Sequence, residues 1–160
     1  MDSITPSPDK PPAALLREAE VWFAAPSAPR IHRPLAAGRV SAGFPSPAAD
    51  YVERELDIAA LLIANPPATY FVRIEGDSMV GSSIKPGDIA VVDCSLDAKA
   101  GQVVIAILDG ELVIKQLGFG PGGEPLLIPQ NKRYRTITVR EEQDFQIWGV
   151  VTWTIHRQVP

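Results

Sequence analysis

The spacing of hydrophobic and polar positions changes partway along the chain. From Thr69 onward, the apolar positions Tyr70, Val72 and Ile74 recur at every second residue, which is the period of a strand with one buried face. Further strand-like runs follow at residues 88–93, 102–108, 111–117, 126–128, 136–140 and 144–156. The pattern therefore predicts a mainly β fold: a compact domain of several strands, preceded by a flexible N-terminal arm and short helices.

The first third of the chain is rich in proline. Residues 1–14 read "MDSITPSPDKPPAA", and we expect this composition to prevent regular structure and to give a flexible arm. Five apolar residues then fall on one face at helical spacing, which predicts a short amphipathic helix that docks on its own domain or binds a partner: Leu15, Leu16, Ala19, Trp22 and Phe23. Prolines interrupt this pattern again, so we expect residues 24–44 to be extended.

Two helix starts are predicted where the ordered domain begins. Ser46 can cap a helix that has Pro47 at its first position. Asp57 can cap a second helix over the sequence "DIAALLIAN", which should end at Asn65 before two prolines. We therefore divide the chain into an arm, residues 1–43, and a folded domain, residues 44–160.

Composition and charge narrow the possible functions. The 160 residues suffice for one domain, and 46% hydrophobic and 21% charged residues are ordinary for a soluble protein. The net charge of -4, without a basic stripe, argues against direct nucleic-acid binding. We see no signal peptide and no apolar run near the roughly 18 residues of a membrane span. We expect a cytoplasmic protein.

Metal and cofactor sites are not indicated by the sequence. The single cysteine, Cys94, excludes an intramolecular disulfide and a multi-cysteine metal site. Four carboxylates lie among predicted turns without the spacing of a metal site, and we interpret them as solvated turn residues: Glu75, Asp77, Asp88 and Asp93. We expect no metal and no cofactor.

A hairpin is predicted at Asp109-Gly110. This pair is typical of a type I′ turn, which requires positive φ at both central residues. A two-residue loop here pairs Leu108 with Glu111 and Lys115 with Val104.

Lys115 is unusual because it shares its strand face with the apolar residues Val113 and Leu117. Such a lysine either extends to water or is held desolvated. Desolvation is what a lysine general base requires: lowering its pKa from about 10.4 to about 7 corresponds to roughly 4 to 5 kcal/mol of disfavoured charge. The pattern alone leaves both alternatives open.

Ser78 lies in the sequence "GDSM", directly after a predicted strand. A serine on such a turn can expose its Oγ and leave the backbone N–H groups of Ser78 and Met79 free to hold an oxyanion, although ordinary turn chemistry is the alternative. His32, in the arm, and His156 are poor candidates for its base, so a Ser-His-Asp triad is not expected. Cys94 has no histidine nearby in the sequence and is interpreted as structural.

Three segments together resemble a known family. "AGFPSPAADYVE" (42–53), "GDSM" (76–79) with "IKPGD" (84–88), and "DGELVIK" (109–115) occur in this order in the chain. They resemble the UmuD mutagenesis proteins, which belong with the LexA-type repressors to a family of self-cleaving Ser-Lys peptidases. The resemblance covers roughly residues 41–156 and implies a LexA/UmuD-like β domain.

The resemblance also implies roles for individual residues. Ser78 corresponds to the nucleophile and Lys115 to the general base of the family. The bond that the family cuts corresponds to Ala42-Gly43. Ala37-Gly38 is a competing pair in the same arm, but the Phe-Pro-Ser-Pro context favours Ala42-Gly43.

Partners are implied by the resemblance as well. Members of this type form homodimers, are stimulated to cleave themselves by RecA filaments on single-stranded DNA, and then serve a UmuC-like translesion polymerase as accessory subunit in SOS mutagenesis. The residues before the cleavage site contain no helix-turn-helix pattern, which separates the chain from the repressors. The alternative is a non-cleaving polymerase-interaction subunit of the same fold.

Overall fold

The structure, a computed structural model, describes residues 3–6, 20–23, 32–35 and 54–159. These residues are mainly β, as predicted. One α-helix, α1, spans Ile58–Leu62, and short 3-10 helices span Pro66–Ala68 and Val80–Ser82. The strands are β1 (Ser3–Ile4), β2 (Val21–Phe23), β3 (His32–Leu35), β4 (Arg54–Asp57), β5 (Thr69–Arg73), β6 (Ile89–Asp93), β7 (Ala98–Lys99), β8 (Val103–Leu108), β9 (Glu111–Phe119), β10 (Pro125–Ile128), β11 (Ile137–Thr138) and β12 (Phe145–Ile155).

An antiparallel sheet of eight strands dominates the fold, in the order β11-β10-β9-β8-β12-β6-β5-β2. The long strand β12 joins the two halves because it pairs with β8 on one side and with β6 on the other. Its register shifts between Ile147 and Gly149, and a Cβ at Gly149 would come within 2.7 Å of Val92. Two smaller pairs, β1 with β7 and β3 with β4, complete the strand pairing of the described residues.

The core consists of two apolar clusters that share β12. Trp148 belongs to the first cluster, where its ring lies 5.1 Å from that of Tyr70. Ile147 belongs to the second cluster, together with Leu117 and Val104. Because successive strand residues point to opposite faces, β12 supplies both clusters.

The predicted hairpin between β8 and β9 is confirmed. Asp109 and Gly110 have φ angles of 51° and 85°, as a type I′ turn requires. Leu108 pairs with Glu111, and Val104 pairs with Lys115. The hairpin therefore fixes the position of Lys115 along its strand.

The helix predicted at Asp57 is also confirmed, but it is shorter than expected. The side chain of Asp57 accepts a hydrogen bond from the backbone N–H of Ala60 at 3.0 Å. The helix ends at Leu62 rather than Asn65, because the residues before Pro66 turn extended, the conformation that a following proline favours. The predicted cap at Ser46 and Pro47 lies outside the described residues.

The amphipathic helix predicted over residues 15–23 is wrong at its C-terminal end. Val21–Phe23 is strand β2, which pairs antiparallel with the edge of β5. The unpaired backbone groups of β5 and the β-forming residues Val21 and Trp22 outweigh a helical spacing based on only a few positions. Leu15, Leu16 and Ala19 lie outside the described residues.

The expectation that residues 1–14 lack regular structure is wrong at Ser3–Ile4, which pairs with Ala98–Lys99. Ile4 packs against the cluster that contains Leu117. The extended conformation predicted for residues 24–44 is confirmed at His32–Leu35. The boundary between arm and domain, at residues 43 and 44, lies outside the described residues and stays a prediction.

Candidate active site

Ser78 lies on a loop that leaves the sheet after β5. Ile74 closes the base of this loop, since its N–H donates to Asp88 O at 2.8 Å and its carbonyl accepts from Gly87 N at 2.8 Å. Gly76 turns the chain with a φ of 72°. Met79, only 1% exposed, anchors the loop in the core. The side chain before it, that of Ser78, stays partly accessible.

The structure brings Ser78 and Lys115 together. Lys115 Nζ lies 2.9 Å from Ser78 Oγ and also donates to the carbonyl of Ile114 at 2.9 Å. Burial lowers the pKa of Lys115 below its ordinary value, because a low-dielectric environment disfavours the charged ammonium. The side chain of Lys115 is half-buried, so its amine is partly desolvated and is not fully extended into water.

A cleft of about 430 Å³ lies over this pair. Its apolar surface includes Val72, Ile105 and Leu112, and its rim carries carboxylates such as Glu75 and Glu111. The first half of β9 borders the cleft and pairs only with β8 among the described residues, since β10 ends opposite Gln116. An extended peptide therefore has both a groove and an open strand edge beside Ser78.

The backbone around Ser78 leaves donors available. Within the described part of the chain, the N–H groups of Ser78 and Met79 have no hydrogen-bond acceptor. They belong to Ser78 itself and to the next residue, so they lie near Oγ. This arrangement suits the oxyanion interaction predicted from the sequence.

The environment of Cys94, the other candidate nucleophile, disfavours its reactive form. Burial, assisted by the neighbouring carboxylate of Asp93, raises the pKa of Cys94 to about 12. The thiolate, which is the reactive form, is therefore disfavoured at neutral pH. The structural interpretation of Cys94 agrees with this environment.

Two carboxylates differ from expectation. Asp88 and Asp93, interpreted from the sequence as solvated turn residues, are only 2% and 5% exposed. Asp93 accepts hydrogen bonds from both the N–H and the hydroxyl of Ser95, while Asp88 Oδ1 lies 2.5 Å from His156 Nδ1. Buried carboxylates keep such partners because an unpaired one is costly. The partner of Asp88, His156, is 68 residues away in the sequence, and turn signals do not report such a contact.

Several residues of the segment 130–134 also contact the loop of Ser78, and no sequence pattern predicted them. Gln130 N donates to the carbonyl of Ser78 at 2.8 Å, and Asn131 and Tyr134 donate to Asp77. They follow Ser78 by more than 50 residues and have no motif spacing. Only the folded sheet brings them to the serine.

The bond expected to be cut lies outside the described residues. Ala42 and Gly43, and the competing pair Ala37 and Gly38, fall between β3 and β4. The pairing of Leu35 with Arg54 brings the two ends of that segment together.

The chain is similar to known proteins over most of its length. The sequence profile of the Peptidase S24-like family matches residues 34–152. Protein MucA of Escherichia coli is 39% identical over 135 residues, 83% of this chain and 91% of MucA. Protein SamA of Salmonella typhimurium is 47% identical over 124 residues, 78% of this chain and 85% of SamA. The LexA repressor of Anaeromyxobacter dehalogenans is 38% identical over 117 residues, 71% of this chain and 50% of the repressor.

The matched range contains both Ser78 and Lys115. In the part of the chain that the structure describes, no helix has the length and apolar character needed to cross a bilayer.

Proposed function

The chain belongs to the Peptidase S24-like family, and on that premise we propose that it is a serine peptidase that cuts its own Ala42-Gly43 bond. Ser78 is the nucleophile and Lys115 the general base. The observation that carries the proposal is the 2.9 Å contact between Lys115 Nζ and Ser78 Oγ. Burial lowers the pKa of this lysine, and a lowered pKa increases the neutral fraction that a base requires.

The first step is activation of the serine. A neutral amine has two N–H groups and one lone pair. When one N–H donates to Ile114 O, the lone pair is free to accept the proton of Ser78 Oγ. The oxygen then attacks the carbonyl carbon of Ala42, and the N–H groups of Ser78 and Met79 hold the oxyanion that develops.

The second step breaks the peptide bond. The tetrahedral intermediate collapses, the C–N bond breaks, and the ammonium of Lys115 donates its proton to the amine of Gly43. Lys115, neutral again, takes a proton from water as the water attacks the Ala42–Ser78 ester. The ester breaks, Ser78 Oγ regains its proton from Lys115, and the two peptide fragments separate.

The residues on both sides of the proposed scissile bond are small, which suits attack by Ser78. Ala42 and Gly43 have no bulk to prevent close approach to Ser78 Oγ. Phe44 follows them, and the apolar lining of the cleft, for example Val72 and Leu112, suits an aromatic anchor of this kind.

We also propose the biological setting implied by the sequence resemblance. A RecA filament on single-stranded DNA stimulates the cleavage in the cytoplasm, and the processed chain serves a UmuC-like translesion polymerase as accessory subunit in SOS mutagenesis. If the cleavable conformation is rarely populated, the observed rate is reduced by the fraction of chains that adopt it. A partner that binds this conformation increases that fraction and raises the rate in proportion.

A homodimer is part of the same proposal. Trp22, Phe71, Val91 and Trp153 stand opposite one another across β2, β5, β6 and β12, so they share one sheet face. Trp22 is 43% exposed and Trp153 is 44% exposed. Val91 on the same face is fully buried, so the two tryptophans provide most of its exposed apolar surface. Exposed apolar side chains of this kind favour association.

The proposal is tested by incubating the purified chain with and without RecA, nucleotide and single-stranded DNA. We expect the RecA filament to accelerate the appearance of a fragment whose N-terminal residue is Gly43, read by Edman sequencing. Ser78→Ala should remain folded and intact. A chain that stays whole under all conditions, while still binding a polymerase, would instead support the non-cleaving subunit.

A further inference from the structure

The turn that carries Ser78 is fastened to a distant segment, residues 130–134, which we call the clamp. Gln130 N donates to Ser78 O at 2.8 Å, and Gly81 N donates to Gln130 O at 2.6 Å. A Cβ at Gly81 would lie 2.5 Å from Gln130 O, so the two backbones are in direct contact. Backbone hydrogen bonds with Gln130 thus hold the turn at two points, Ser78 and Gly81.

Side chains of the clamp hold Asp77, the residue before the serine. Asn131 Nδ2 donates to the backbone carbonyl of Asp77 at 3.0 Å. Tyr134 OH donates to Asp77 Oδ1 at 2.5 Å. Arg133 forms an ion pair with the same carboxylate, but the arginine side chain is 73% exposed, and exposed pairs contribute little. Tyr134 is itself 45% exposed, so Asn131, which is half-buried, makes the best-shielded of the three contacts.

Asn131 is suited to this position by having both a donor and an acceptor. Its Oδ1 accepts from Arg133 N at 3.0 Å and stabilises the turn of the clamp itself, while its Nδ2 reaches Asp77. An aspartate retains the first bond and cannot make the second. The two tasks of Asn131 can therefore be separated experimentally.

The clamp also contacts the strand that carries the lysine. Gln130 Nε2 donates to Gln116 Oε1 at 2.5 Å, and Gln116 directly follows Lys115. The preceding strand, β10, pairs with β9 up to the Ile128–Gln116 pair. One short segment thus touches both the turn of Ser78 and the strand of Lys115.

From this geometry we propose that Asn131 and Tyr134 are positioning residues for self-cleavage, which keep Ser78 Oγ within hydrogen-bond distance of Lys115 Nζ by holding Asp77. This inference rests on the proposed function. Ser78 lies outside the strands, and a hydrogen bond weakens steeply when its geometry is lost. Misplacement of a reacting group by about 1 Å costs up to roughly 100-fold in rate.

The test compares Asn131→Asp and Tyr134→Phe with the control Arg135→Gln, at an exposed position next to the clamp. We expect the self-cleavage rate to fall roughly 10- to 100-fold in the first two variants and less than about twofold in the control. Tyr134→Phe should lower the rate at every pH without moving the midpoint of its pH profile, because the burial of Lys115 is unchanged. Thermal unfolding checks that each variant is folded.

A second readout is covalent labelling of Ser78 by a fluorophosphonate, which reports serine reactivity without requiring the arm to reach the cleft. The labelling rate should fall in Asn131→Asp and Tyr134→Phe, as the cleavage rate does, and should be nearly unchanged in the control. If the wild type cleaves and is labelled, but Asn131→Asp and Tyr134→Phe do both at the wild-type rate, the positioning role is wrong and the proposed function stands. A wild type that is neither cleaved nor labelled overturns both.

Discussion

At the scale of single residues, the candidate site depends on the contact between Lys115 Nζ and Ser78 Oγ, which lie 2.9 Å apart although the residues are 37 positions apart in the sequence. Burial lowers the pKa of this lysine. The strand partner of Lys115, Val104, was predictable from the Asp109-Gly110 turn. The contact with Ser78 was not predictable from local patterns, because it joins a loop and a strand that are distant in the sequence.

The lowered pKa of Lys115 has a consequence for stability. Between the folded-state pKa of Lys115 and its ordinary value, the unfolded chain binds a proton that the folded chain does not. Stability therefore rises with pH across that window, and below it the folded protein carries the cost of a desolvated charge.

The corresponding variant is Lys115→Met, made in a Ser78→Ala background so that no chain is cut. We expect the variant to be more stable than its parent at neutral pH, with a difference that shrinks as the pH approaches about 10.4. Urea unfolding across this pH range measures the difference. Lys132→Met, at an exposed position, is the matched control and should show no such trend. A pH-independent effect of Lys115→Met would contradict the desolvation of the amine.

At the scale of elements, local signals succeeded where the chain pairs with its near neighbours. The β8–β9 hairpin and the cap at Asp57 are determined by residues a few positions apart, and both were predicted. Strand β2 was missed because its formation depends on the edge of β5, about 50 residues away. A few apolar residues fit a helical period and a strand equally well, and the available partner decides.

The turn at Gly110 provides a prediction at this scale. Its φ is 85° and a Cβ there would meet no atom within 4 Å, so Gly110→Ala tests backbone strain alone. We expect a loss of about 1 kcal/mol in unfolding free energy for Ala. Gly110→Asn should cost less, because asparagine adopts this conformation more readily. Chemical denaturation of both variants would contradict the account if Asn were the more damaging residue.

At the scale of the whole molecule, the three described strands within residues 1–43 each pair with a strand later in the chain. β1 pairs with β7, β2 with β5 and β3 with β4. Composition predicted an arm but not these contacts, since they link residues far apart in the sequence. The proposed scissile bond lies between β3 and β4, whose pairing returns both ends of that segment to the same place.

The choice between the two Ala-Gly pairs is a prediction about this segment. Ala42→Trp should lower self-cleavage by about 100-fold, because a bulky side chain prevents close approach to Ser78. Ala37→Trp is the matched control and should cleave normally. Intact mass spectrometry of the products identifies the bond. The opposite pattern would place the cleavage at Ala37-Gly38.

The central claim is that neutral, desolvated Lys115 activates Ser78, and the pH dependence of self-cleavage tests it most directly. The measurement is the rate at which purified wild type and Ser78→Ala lose full-length chain, without any partner, from about pH 7 to about pH 10. We expect the wild-type rate to rise with pH and to level off below the ordinary lysine pKa of about 10.4, while Ser78→Ala stays intact. A flat wild-type rate over this range, or cleavage of the serine variant, would contradict the account.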